Sequence, residues 1–199
     1  DAIEGNTLSK KETESILFDQ AKISDKSMIE HLEAINHAAI LKQIFSGKIS
    51  GSISESMIKD LHKMLIQGIR EDAGEYAKHP RAIRGVDLAL PHPEDIPEEM
   101  KSFIKHIHQI QGEPIECMAQ MHAEFEAIHP FGDGNGRVGR LMMIIQCIER
   151  DLAPPLITFN NRAQYYEYLE YAQRESIAHL TKFTAESILL GYKVIEKYA

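Results

Sequence analysis

The run His129-Pro-Phe-Gly-Asp-Gly-Asn-Gly-Arg-Val-Gly-Arg140 places an imidazole, a carboxylate and two guanidinium groups within twelve residues, with glycine at 132, 134 and 136. Alternating glycines let the backbone adopt positive φ and approach a ligand closely. Successive N–H groups ahead of a helix form an anion-binding nest. Arg137 and Arg140 are three apart, so on a helix they share a face and offer a fork of donors to a polyphosphate. Asp133 stands on the same loop, where it can hold a divalent metal, Mg²⁺ or Mn²⁺, against phosphates. His129 is suited to take a proton from an attacking group, histidine being the side chain whose unperturbed pKa, about 6.5, lies near neutrality. The combination reads as a phosphate-transfer site. Each part alone has a plainer reading: paired arginines are commonly solvated helix charges, and a glycine loop is commonly a turn.

The elements that position this run are helices. Apolar residues recur at helical spacing from Thr7 to Ala21, with Thr7 or Ser9 as cap, and from Ser27 to Ser46. The same pattern runs from Ser54 through Ile69 and from Ile96 to Gln111. Pro114 to Ile128 and Gly136 to Arg150 flank the motif, and the second is apolar almost all round, as expected of a helix at the middle of a bundle. Asn161 to Tyr171 and Ser176 to Tyr192 complete the set. Between Gly74 and Pro93 the glycines and prolines interrupt the pattern, and Ala82 to Leu88 reads as a short β-hairpin. The expected fold is an all-α, mainly helical bundle with a hairpin flap, in one domain spanning 1–199.

A net charge of −8 argues against a nucleic-acid partner, which requires a basic face. The positive charge of the motif is local and suits a small anion. Cys117 and Cys147 lie within apolar helical patterns and read as reduced packing thiols of a cytoplasmic protein. No apolar stretch reaches membrane-spanning length, so no membrane partner is expected. The chain opens at Asp1 rather than Met, which leaves a preceding segment open. Among the other histidines, His122 reads as a packed side chain, and His106 and His108, two apart, cannot form a metal pair on one helix face. Phe131 reads as a core anchor for the loop, and one of the adjacent Tyr165 and Tyr166 as packing.

The twelve-residue run resembles the signature His-x-Phe-x-(Asp/Glu)-Gly-Asn-Gly-Arg-x-x-Arg of the Fic/Doc family of adenylyltransferases, at every specified position. At the other end, Ile3-Glu4-Gly5-Asn6-Thr7 is similar to the inhibitory motif (Ser/Thr)-x-x-x-Glu-(Gly/Asn) of family members that carry their inhibitor at their own N-terminus; its Ser/Thr position falls before Asp1. The segment 74–93, with Leu90-Pro91-His92-Pro93, resembles the family's flap. Tyr165-Tyr166 with Leu169-Glu170 resembles the helix that lines the adenosine pocket. Ala77 and Gln173 depart from residues common in relatives, where Arg and an Asn near the ribose are found.

The resemblance implies AMP transfer from ATP to a Ser, Thr or Tyr hydroxyl of a target protein, with release of pyrophosphate. His129 is the implied base and Asp133 the implied Mg²⁺ or Mn²⁺ ligand. The implied nucleotide-binding set is Asp133, Gly134, Asn135, Gly136, Arg137, Val138, Gly139, Arg140, Tyr165, Tyr166, Gln173, Arg84 and Gly85. Glu4 is expected to pair with Arg140 and restrain the enzyme in cis, through an inhibitory segment of about 1–21. The run Arg81 to Gly85 is expected to hold the target by main-chain pairing. The same motif also accommodates removal of AMP from a modified protein, with Glu4 aligning water, or a nucleotide-binding regulatory module with little turnover. A homodimer is compatible with the resemblance.

Overall fold

The computed structural model describes residues 1–82 and 88–198, the side chain of Tyr198 apart. Eight α-helices follow in order among them: α1 Lys10–Asp19, α2 Met28–Phe45, α3 Glu55–Ile66, α4 Ile96–Ile107, α5 Pro114–Ile128, α6 Asn135–Ile148, α7 Arg162–Arg174 and α8 Ala178–Tyr198. Among the described residues there is no strand, and no helix is long and apolar enough to cross a membrane. Of the hairpin expected over Ala82 to Leu88, residues 83–87 lie outside the described residues.

Local signals start the helices. Ser9 and Ser27 each form a capping box, with Glu12 and Glu30 respectively, and the Ser54 hydroxyl accepts from the Met57 N–H. Pro114 opens α5, where its missing N–H costs nothing. The centre of the bundle is α5 against α6. Val138, Leu141, Met142 and Ile145 of α6 are buried with Phe125 and Phe131 in the main core. Each such side chain contributes about 1.5–3 kcal/mol on burial. A second cluster, Ala119, Ala123, Tyr165, Leu180 and Phe183, packs α7 and α8 onto the other side of α5. The motif loop therefore joins the two most enclosed helices.

Three features depart from expectation. The last helix runs on to Tyr198, six residues beyond its expected end at Tyr192. Within it, a Cβ on Gly191 would lie 2.3 Å from the Pro154 carbonyl oxygen, so this glycine permits close backbone approach. The α4 helix ends at Ile107, four residues earlier than Gln111. The apolar stripe expected on α2 is only half used: Ala34, Ile40 and Ile44 are buried, whereas Ile29, Ile35 and Phe45 are exposed.

Candidate active site

The α5 helix stops at His129, which precedes Pro130 and adopts a left-handed φ of 49°; the proline bars helical continuation. Arg81 then ties down this turn. Its Nε donates to the His129 carbonyl at 2.8 Å, and its Nη2 to the carbonyls of Pro91 at 3.0 Å and Ile128 at 3.2 Å. Phe131 is fully buried and stacks on the His62 ring at 3.8 Å. The Gly74 N–H donates to His62 Nδ1 at 2.9 Å, so Nε2 carries the proton and donates to the Asp133 carbonyl at 3.1 Å. Burial holds the His62 pKa down at about 4, so the ring is neutral. The Asn135 side chain closes the loop on itself, accepting from Phe131 N–H at 2.9 Å and donating to Phe131 C=O at 2.8 Å.

This rigid loop borders a cavity of about 630 Å³, within the usual range for small-molecule sites. His129, Glu126, Asp133, Gly134, Gly136, Arg137, Tyr165, Tyr166 and Gln173 line it, together with Glu4. Gly134 takes φ 81° as N-cap of α6 and brings no capping side chain. The first N–H groups of α6 and the positive end of its dipole thus stand at the cavity wall. Asp133 Oδ1 accepts from the Gly134 N–H at 2.6 Å and from Arg137 Nη2 at 3.1 Å, while the carboxylate remains about half exposed. Arg137 is almost fully enclosed, its Nη1 donating to Glu33 Oε1 at 2.6 Å.

Arg140 does not reach the cavity wall, because Glu4 covers it. Its Nη2 donates to Glu4 Oε1 at 2.5 Å and its Nη1 to the Tyr165 hydroxyl at 3.4 Å. Burial opposes the charge of Arg140, but Tyr165 and Glu4 together hold its pKa above the ordinary value. The Tyr166 hydroxyl donates to Glu4 Oε2 at 3.3 Å. Burial and the neighbouring Glu4 push the Tyr166 phenol up to about 12. The segment carrying Glu4 is docked on α2: Asn6 Nδ2 donates to Glu33 Oε2 at 2.8 Å, and Thr7 binds Glu30.

The geometry sorts the residues read from the sequence. His129, Asp133, Gly134, Gly136, Arg137, Tyr165, Tyr166 and Gln173 share one cavity. Gln173, placed beyond the expected end of its helix, sits on α7 and donates to the Ala123 carbonyl at 3.4 Å. Asn135 also borders the cavity, its side-chain amide bonded to the Phe131 backbone, while the Val138 side chain is fully buried in the core. Gly139 packs against α5, since a Cβ there would lie 2.7 Å from the His122 ring. Arg84 and Gly85 lie outside the described residues. His122 is packed, as its spacing suggested, yet also polar: its Nε2 meets the Tyr165 hydroxyl at 2.6 Å. Tyr165 is the buried member of the tyrosine pair and Tyr166 the half-exposed one.

Glu33, His62 and Glu126 were not singled out by sequence reasoning. Glu126 carried a usable signal, standing one helical turn before His129. Glu33 carried none, being 104 residues from the arginine it binds. Among the described residues no group of three or more His, Cys, Asp or Glu is placed to hold a metal by protein ligands alone.

The chain is similar to known proteins in sequence and in fold. Residues 52–147 match the Fic/DOC family. The chain is 33% identical over 190 residues to a protein adenylyltransferase Fic of Nematostella vectensis, covering 92% of this chain and 44% of the relative. It is 30% identical to that of Aedes aegypti, covering 92% and 38%. The chain thus spans less than half the length of these curated relatives. Among solved structures, Fic-1 (residues 134–508) of C. elegans superposes with a TM-score of 0.77 at 28% identity, covering all of this chain and 62% of that one. A Fic domain containing signaling protein of Bacteroides thetaiotaomicron shares the fold with a TM-score of 0.86 at 21% identity, covering 96% and 80%. With the loop, the helical frame and the relatives in agreement, residues 52–147 are a domain of the Fic/DOC family.

Proposed function

We propose that this domain transfers AMP from ATP to a Ser, Thr or Tyr hydroxyl of a target protein and is restrained in cis by Glu4. The observation that carries the reading is one cavity lined by an imidazole, a half-exposed carboxylate and an uncapped helix N-terminus. The name protein adenylyltransferase borne by the curated relatives supports it.

His129 accepts the proton of the target hydroxyl. The hydroxyl oxygen bonds to the α-phosphorus as the bond to the bridging oxygen breaks, and pyrophosphate leaves. The N–H groups of Gly134 to Gly136 cradle phosphate oxygens, aided by roughly half an elementary charge at the helix end. Arg137 adds a fixed guanidinium beside them. Tyr165, Tyr166 and Gln173 wall the part of the cavity that receives the nucleoside. Asp133 would hold Mg²⁺ or Mn²⁺: one half-exposed carboxylate beside a phosphate nest suits an ion that takes few protein ligands and completes its shell with phosphates and water. When bound, the ion neutralises phosphate charge. Glu4 occupies Arg140 and so withholds it from the outer phosphates. A cytoplasmic setting accords with the free thiols of Cys117 and Cys147.

The test is incubation with α-labelled ATP, Mg²⁺ and lysate. Transfer of label to protein, lost in His129→Ala, supports the reading. Saturable ATP binding without transfer, even after Glu4→Gly, supports a regulatory binding module instead. Release of label from a pre-modified target would show that AMP removal dominates.

A further inference from the structure

We propose that Glu126 is the positioning residue of the base: its buried carboxylate holds the His129 imidazole with Nδ1–H turned inward and Nε2 bare toward the cavity. The consequence for turnover rests on the AMP-transfer reading above; the geometry does not.

Glu126 stands one turn before His129 at the end of α5, and its Oε2 lies 3.6 Å from His129 Nδ1. That separation exceeds a hydrogen bond. Catalytic contacts are often this long without substrate and shorten when it docks. Among the described residues, His129 Nδ1 and Glu126 Oε1 are both buried and have no hydrogen-bond partner. A neutral imidazole has one N–H and one bare nitrogen, and an ionised carboxylate only accepts. A carboxylate beside Nδ1 therefore draws the proton to that nitrogen and leaves the lone pair on Nε2.

The carboxylate is kept ionised although only 5% of Glu126 is exposed. Burial pushes its pKa up; His129, His122 and Arg140 more than offset this and bring it below the ordinary value. An unpaired buried charge would instead neutralise itself. The space is shaped around it as well. A Cβ on Gly139 would lie 2.9 Å from Glu126 Oε1, so α6 rests directly against that oxygen. His122, whose ring also faces Gly139, spends its Nε2 on the Tyr165 hydroxyl, while its buried Nδ1 makes no hydrogen bond.

The experiment is ¹⁵N NMR of the full chain labelled in histidine, with His129→Ala used to assign the signal. The expected result at pH 8 is a protonated Nδ1 and bare Nε2 in the native protein and in Glu126→Gln, whose amide oxygen still accepts. Glu126→Ala shifts the proton to Nε2. The other ionisable groups around the pair, His122, Arg140, Glu4 and Asp133, are the same in the native, Glu126→Gln and Glu126→Ala proteins compared by NMR. In a Glu4→Gly background, Glu126→Ala lowers kcat roughly 100-fold with the KM for ATP unchanged, and Glu126→Gln recovers part of the loss. An Nε2–H tautomer in the native protein overturns the proposal whether or not Glu126→Ala folds. A Glu4→Gly protein that labels nothing while the NMR result holds refutes AMP transfer and leaves the role of Glu126 standing.

Discussion

Glu4→Gly is the perturbation that separates a restrained enzyme from a docked segment. The Glu4 side chain is 28% exposed and that of Arg140 13%, and the two meet at 2.5 Å. Opposite charges with centres about 4 Å apart attract by about 4 kcal/mol at an effective dielectric constant near 20. Desolvation returns part of that, and charge-assisted hydrogen bonds net about 1.5–3 kcal/mol. If Arg140 must leave Glu4 to engage the outer phosphates, the competent arrangement is disfavoured by roughly 2–3 kcal/mol. Glu4→Gly then raises turnover about 30- to 150-fold, since each 1.4 kcal/mol is tenfold. The gain falls on kcat more than on ATP affinity, because the α6 nest and Arg137 are untouched. Asn6 and Thr7 still bind α2, so the segment stays docked and the fold is preserved. The assay is transfer of α-labelled AMP by the native protein, by Glu4→Gly and by Glu4→Gly with His129→Ala. The last is inactive. No increase in a folded Glu4→Gly protein refutes the competition for Arg140 and reduces the N-terminal segment to packing.

Other substitutions divide the site by role. His129→Ala abolishes transfer and leaves ATP binding largely intact, whereas Asp133→Ala weakens metal-dependent ATP binding; titration calorimetry with and without Mg²⁺ distinguishes the two. Gly139→Ala drives a methyl to within 2.7 Å of His122 and 2.9 Å of Glu126, and costs about 1–3 kcal/mol of stability as an overpacked contact, read by denaturant unfolding. Burial holds both His62 and His122 near pKa 4, below the unfolded value of about 6.5. As pH falls, the unfolded chain binds these protons first, so stability declines from about pH 6.5 to about pH 4. By pH 5 the loss is about 2 kcal/mol for each histidine. Stability that is the same at pH 7 and pH 5 would show that these rings are not held neutral.

Legibility in the sequence followed the range of the interaction. Helix starts were readable where a side chain caps its own backbone, as at Ser27 and Ser54. The motif was readable because Asp133, Gly134 and Arg137 act within one turn of one another. Glu33 was not, since only tertiary packing of α2 brings it to Arg137. His62 was hidden for the same reason: its two bonds reach Gly74 and Asp133, and nothing in its own helix reports either. Asn135 was picked out by its place in the motif, while its bonds to the Phe131 backbone depend on the path of the loop.

The left-handed turn at His129 sets a trade-off between durability and activity. Helices commonly end on such a turn, and glycine or asparagine is the residue that takes it without strain. A β-carbon in that conformation costs about 1–2 kcal/mol, and here the cost falls on the residue proposed as the base. Selection for stability alone would replace His129 with glycine, giving a chain that outlasts the native one in a thermal challenge and transfers nothing. A screen of this domain for heat resistance without an activity filter should therefore return position 129 among its first improvements, and each such improvement will be a dead enzyme.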